Sequence, residues 1–155
     1  GGGKAIVISS IAGIKGSDVL GAYSISKTAD LGLVRSLAVE WGPNGIRVNA
    51  IAPGPFPTEG MTARLSPKGD MQKDSDNTIP MGRMGEMNEL QNLATFLMAD
   101  GCEYLTGQTI AIDGAQYLSG GGTFSHLSKM SDDDWAEIRD MIKKTNDSDK
   151  QKRTT

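Results

Sequence analysis

Two short apolar runs flanking a helix-length segment constrain this chain more than anything else in it. "KAIVIS", Lys4 to Ser9, is a short β-branched apolar run, the pattern of a strand covered on both faces, and "IRVNAIAPG", Ile46 to Gly54, reads as the next buried strand. Between them, Leu31, Val34, Ala38 and Trp41 recur at helical spacing, which predicts a helix from about Ala22 to Trp41. Ile25, Ala29, Leu33 and Leu37 form a second stripe on roughly the opposite side. A helix apolar on two sides is covered on two sides, by its own sheet and by another subunit. Gly42-Pro43-Asn44-Gly45 ends it. Strand, helix and strand in this order make a crossover unit of a parallel sheet, so the fold class is α/β.

The elements downstream fit the same plan. Pro53-Gly54 closes the second strand, and a long polar excursion follows to about Asn77. A loop of that length in a compact domain reads as a functional lid. Glu86 to Met98 is helical, with Leu90, Leu93, Ala94 and Leu97 inward, and "QTIAIDG", Gln108 to Gly114, is a third strand. After Gly120-Gly121-Gly122 comes another helix, with Ser131 as N-cap, Asp134 at the capping-box position and an apolar edge of Trp135, Ile138 and Ile142. The polar residues from Asn146 read as a disordered tail.

At 155 residues the chain suits one domain with a core. Its net charge of -3 argues against a nucleic-acid binder, and no apolar run is long enough for a membrane span. Single Cys102 and His126 leave no metal-ligand spacing, and one cysteine suits a reducing, cytoplasmic home. The sequence opens at the start of a strand without a methionine and reads as a fragment.

Ligands of open parallel sheets bind beyond the carboxyl ends of the strands, and three features fall there. Ser9-Ser10 closes the first strand, Tyr23 and Lys27 open the crossover helix, and Pro53-Gly54 with Thr58 closes the second strand. Residues four apart share a helix face, so Lys27 can hold its ammonium near the Tyr23 hydroxyl. A free phenol titrates near pH 10, and an adjacent positive charge brings it closer to acid–base work. A serine hydroxyl beside it can donate to an oxygen gaining negative charge. The chemistry these groups suit is hydride transfer to or from a carbonyl.

"ISS" with Ser10, "YSISK", "IRVNAIAPG", Thr58, "IPMGRMG" and "TGQTIAIDG", in order from Lys4 to Ala115, resemble the C-terminal half of a short-chain dehydrogenase/reductase. The resemblance implies a Rossmann-like, doubly wound parallel sheet. It assigns residues 1–122 to the C-terminal half of that domain, with a substrate lid over 55–77. Residues 123–145 become a helical extension and 146–155 a tail. It makes Tyr23 the general acid–base, Lys27 the group that assists it and binds the nicotinamide ribose, and Ser10 the residue orienting the substrate carbonyl. Pro53, Gly54, Phe56 and Thr58 would contact the cofactor, NAD or NADP. Met61, Arg64 and Leu65 would line the lid. The glycine-rich phosphate loop, the residue that chooses NAD or NADP and a catalytic asparagine belong to an upstream half. Ala115 replaces the second glycine of the family's "DGG" turn, a harmless difference in this reading.

"TARLSPKGDMQKD" and "GTFSHLSKMSDDDWAEIRDMIKKT" also resemble 2,4-dienoyl-CoA reductases, which would add an acyl-CoA substrate. The mitochondrial form of those enzymes, however, places its tyrosine where this chain has Ala12. Arg64 and Arg83 are candidates for its phosphates, against a structural role for each. The expected partners are a carbonyl or acyl-CoA-like small molecule and further copies of the chain, as dimer or tetramer. The alternative of another class is an inactive, oligomerising fragment. Asn49, Cys102 and His126 read as structural or incidental.

Overall fold

The computed structural model describes residues 2–17, 19–58, 78–119, 127 and 129–153. The chain divides into two compact units, Gly1–Gly120 and Gly121–Thr155. The first holds strand β1 (Gly3–Ile8), helix α1 (Ala22–Trp41), strand β2 (Ile46–Pro53), helix α2 (Met87–Met98), strand β3 (Thr109–Ile112) and a short helix α3 (Gln116–Ser119). The second holds helix α4 (Asp132–Arg153). The expected lid residues Met61, Arg64 and Leu65 lie outside the described residues, as do His126 and Gly120 to Gly122.

The three strands form one parallel sheet in the order β1-β2-β3. β2 is the central strand and is buried from Arg47 to Ala52, its polar Arg47 and Asn49 included. Alternation along β2 sends Val48 and Ala50 to the face under α1, where Leu31, Val34 and Ala38 complete the core. The opposite parity carries Arg47 and Asn49, both buried. Arg47 donates to the carbonyls of Leu97 (2.9 Å), Ala99 (3.1 Å) and Leu105 (3.2 Å). It thereby satisfies carbonyls that the end of α2 leaves without helical partners. Asn49 donates to Leu105 O (2.9 Å) and accepts from Gln108 N (3.0 Å), the structural role expected of it. Helices therefore meet the sheet from both faces.

The second stripe of α1 is only partly bare in the single chain: Ile25 is 72% exposed and Leu33 50%, whereas Leu37 packs against the core. Helix α2 begins with a reciprocal cap between Glu86 and Glu89. Arg83 grips Glu89 with its two terminal guanidinium nitrogens, at 2.9 and 2.8 Å. Those hydrogen bonds hold the Glu89 carboxyl down to about 2. Arg83, 42% exposed, is thus engaged by the start of α2.

In the second unit Ser131 and Asp134 form the expected capping box. Asp134 N donates to Ser131 Oγ at 3.2 Å and Ser131 N to Asp134 Oδ2 at 2.8 Å. The tail expectation needs correction, because α4 continues to Arg153. No Gly or Pro interrupts residues 132–153. Asn146, Asp147 and Ser148 are weak helix formers but not breakers.

Candidate active site

Because the sheet is parallel, β1, β2 and β3 all end at one edge, and the chain turns there at Ser9–Ser10, Pro53–Gly54 and Asp113–Gly114. The first turn is tied to the start of α1 at several points. Ser9, 4% exposed, donates its hydroxyl to Lys27 O at 2.8 Å. Thr28 Oγ1 donates to Gly13 O at 3.0 Å. A β-carbon on Gly13 would lie 2.6 Å from the Lys27 carbonyl carbon and oxygen, so only glycine permits this approach. Gly13 thereby lets the strand end lie against the turn that carries Lys27.

Lys27 Nζ donates to Ile8 O at 3.0 Å and to Asp30 Oδ2 at 3.2 Å. It also stands 5.9 Å from the centre of the Tyr23 ring, within the range of a cation–π contact. Tyr23 itself is 47% exposed. Ser10 caps the turn Ile11–Gly13, its Oγ accepting from Ala12 N at 3.1 Å. That bond uses an acceptor lone pair and leaves the hydroxyl proton available to a ligand. Ser10, Tyr23 and Lys27 thus lie on two segments held together by backbone and side-chain bonds.

The second and third strand ends also lock together. Gly54 N donates to Ile112 O at 2.9 Å, and a β-carbon on Gly54 would come within 2.7 Å of the Asp113 β-carbon. The Phe56 side chain is buried, with its ring against Gly85, so what Phe56 can offer a ligand is its backbone. Thr58 is exposed at the limit of the described segment. Asp113 accepts from Ala115 N (3.0 Å) and Tyr117 N (2.7 Å), shaping the turn into α3. Within that turn Ala115 has φ of 69°, in the left-handed region that favours glycine. The exchange of glycine for alanine is therefore not neutral: it introduces backbone strain.

Asp30, Gly13 and Asp113 were missed by motif reasoning. Only Asp30 carried a usable signal, its i,i+3 spacing from Lys27.

Residues 1–115 match the family described as Enoyl-(Acyl carrier protein) reductase. The chain belongs to the short-chain dehydrogenase/reductase family. This short-chain dehydrogenase/reductase chain is 38% identical over 120 residues to a tropinone reductase homologue of Arabidopsis thaliana, covering 77% of the chain and 44% of that protein. A short-chain type dehydrogenase/reductase from Mycobacterium ulcerans superposes with a TM-score of 0.72 at 36% identity, over 82% of this chain and 46% of that one. The structure of ElxO with NADP bound matches with a TM-score of 0.68 at 31% identity, over 75% of this chain and 46% of its own. The chain spans about half the length of the relatives it matches, 44% of the Arabidopsis protein.

Proposed function

We propose that this chain supplies the catalytic half of an NAD(P)-dependent oxidoreductase acting on a carbonyl or secondary alcohol. The observation that carries this reading is the Lys27 ammonium, fixed between Ile8 O and Asp30 Oδ2 beside an exposed Tyr23 at the carboxyl edge of a parallel sheet. These residues fit a nicotinamide end. Ile8 and Asp30 take two of the three N–H donors of Lys27, and the third is left for a ribose hydroxyl. The backbone of Pro53, Gly54 and Phe56, with Thr58, would hold the carboxamide.

The cofactor, when bound, supplies the hydride chemistry. The chain's own residues handle the proton and the substrate oxygen. In the reducing direction Tyr23 gives its hydroxyl proton to the carbonyl oxygen as negative charge develops there, and Lys27 stabilises the resulting phenolate by its charge. Ser10 donates a hydrogen bond to the same oxygen and fixes its direction. The bare stripe of Ile25 and Leu33 on α1 favours a homo-oligomer in which a second copy covers it.

A substrate panel on the polypeptide as its gene encodes it, with NADH and NADPH in parallel, tests this reading. Turnover of ketones or secondary alcohols is expected. Turnover confined to a 2,4-dienoyl-CoA with NADPH would move the assignment to the thioester reductases that the lid and last helix resemble. No turnover and no cofactor binding by a stable oligomer would make this an inactive fragment.

A further inference from the structure

Asp30 sits one turn beyond Lys27 on α1, outside the Tyr-x-x-x-Lys motif. Its carboxylate lies 3.2 Å from Lys27 Nζ, and the two side chains are only 28% and 25% exposed. Among the described residues this is the one ion pair Asp30 makes. Among the described residues Asp30 is the one acidic group that pairs with Lys27. From β1 comes the Ile8 carbonyl at 3.0 Å, and from the adjoining turn the Ser9 hydroxyl, which bonds Lys27 O instead. Lys15, on the loop before α1, is exposed.

A lysine stem has some of the largest rotamer freedom of any side chain, and one carbonyl at its tip is a weak restraint on it. A second, charged acceptor at i+3 closes the alternatives. With Ile8 O on one side and Asp30 Oδ2 on the other, the ammonium has one direction left for its third N–H. We infer that Asp30 is a positioning residue, whose carboxylate holds the Lys27 ammonium against the Ile8 carbonyl and aims its remaining donor at the ribose hydroxyls of the nicotinamide cofactor. The role assigned to the aimed donor rests on the proposed function; the tethering of Lys27 does not. The same carboxylate offsets part of the Lys27 charge, so the pair favours placement over field strength.

Two measurements test this, with Asp30→Ala and Asp30→Glu as the variants. In the first, the chain itself is briefly acylated with acetic anhydride, and modification of Lys27 is read by mass spectrometry against Lys15 as internal standard. Release of the ammonium in Asp30→Ala is expected to raise Lys27 labelling about two- to fivefold, the range a partly exposed ion pair supplies. Asp30→Glu, which can still reach across one turn, should return it toward the parent value. In the second, steady-state kinetics on the gene-encoded polypeptide should show the cofactor KM rising about two- to fivefold in Asp30→Ala, by the same arithmetic. The carbonyl KM should stay unchanged, and Glu should rescue.

Unchanged Lys27 labelling overturns the tether, and equal impairment by Ala and Glu overturns the positioning role. If Asp30→Ala loses helix by circular dichroism, the near-isosteric Asp30→Asn replaces it with the same expected labelling. Full activity of a Tyr23→Phe variant would instead sink the hydride-transfer reading, and the labelling result would still report on Asp30.

Discussion

Helices α1 and α4 are nearly equal in length, 20 and 22 residues, yet they are held by opposite means. α1 has no side-chain cap at its N-terminus and no acid in its first turn. What holds it is burial of Leu31, Val34 and Ala38 against β2. α4 carries a reciprocal cap and three aspartates in its first turn, and none of its described side chains is fully buried. The helix that carries Tyr23 and Lys27 is thus the one fixed by tertiary packing. A site built on it inherits the rigidity of the sheet, whereas α4 depends on signals within a few residues of its own end.

Deleting the packing should therefore cost most. Leu31→Ala is expected to destabilise the first unit by about 3 kcal/mol, as large-to-small changes at buried leucines do. Denaturant unfolding followed by helix signal checks it; a loss under about 1 kcal/mol would deny that α1 rests on its core face.

The contrasting change is Ser131→Ala, expected to cost α4 about 1 kcal/mol through loss of the cap. Amide exchange at residues 132–137 should accelerate while α1 is untouched. Acid should reach the same end by another route. Hydrogen bonds from Ser131 hold the Asp134 carboxyl below its ordinary value of 3.8. A depressed carboxyl stabilises above its unfolded value, and that contribution is lost as pH falls from there through the folded one. Fraying of α4 should accordingly set in below about pH 4, read by the same exchange.

The smallest effect is expected at the turn into α3, where Ala115→Gly should stabilise by about 0.5–1 kcal/mol. Relief of the positive φ outweighs the extra freedom that glycine gives the unfolded chain. A fall in melting temperature would show that the Ala115 conformation is unstrained.

The strand–helix–strand unit was legible because its signals are local: two largely apolar runs, one stripe at helical spacing, and Gly42 to Gly45 as a stop. The site was half legible. Tyr23, Lys27 and Ser10 stand out by spacing, whereas what fixes them is non-local. That the Lys27 ammonium turns back to Ile8 O, or that Gly13 and Gly54 mark close approaches and not merely turns, cannot be read from neighbours in sequence. Arg47 looks out of place in an apolar strand until three carbonyls from the end of α2 and its loop converge on it. The end of α4 is illegible for the converse reason: polar composition suggests disorder, but no Gly or Pro interrupts residues 132–153 and the helix runs to Arg153.

In the proposed reaction Tyr23, steadied by Lys27, moves the proton that accompanies hydride transfer. Its most direct test is Tyr23→Phe in the gene-encoded polypeptide, with turnover and NAD(P)H affinity measured on the same preparation. Turnover is expected to fall by about 10²–10⁴-fold while cofactor affinity is retained. Undiminished turnover would contradict it.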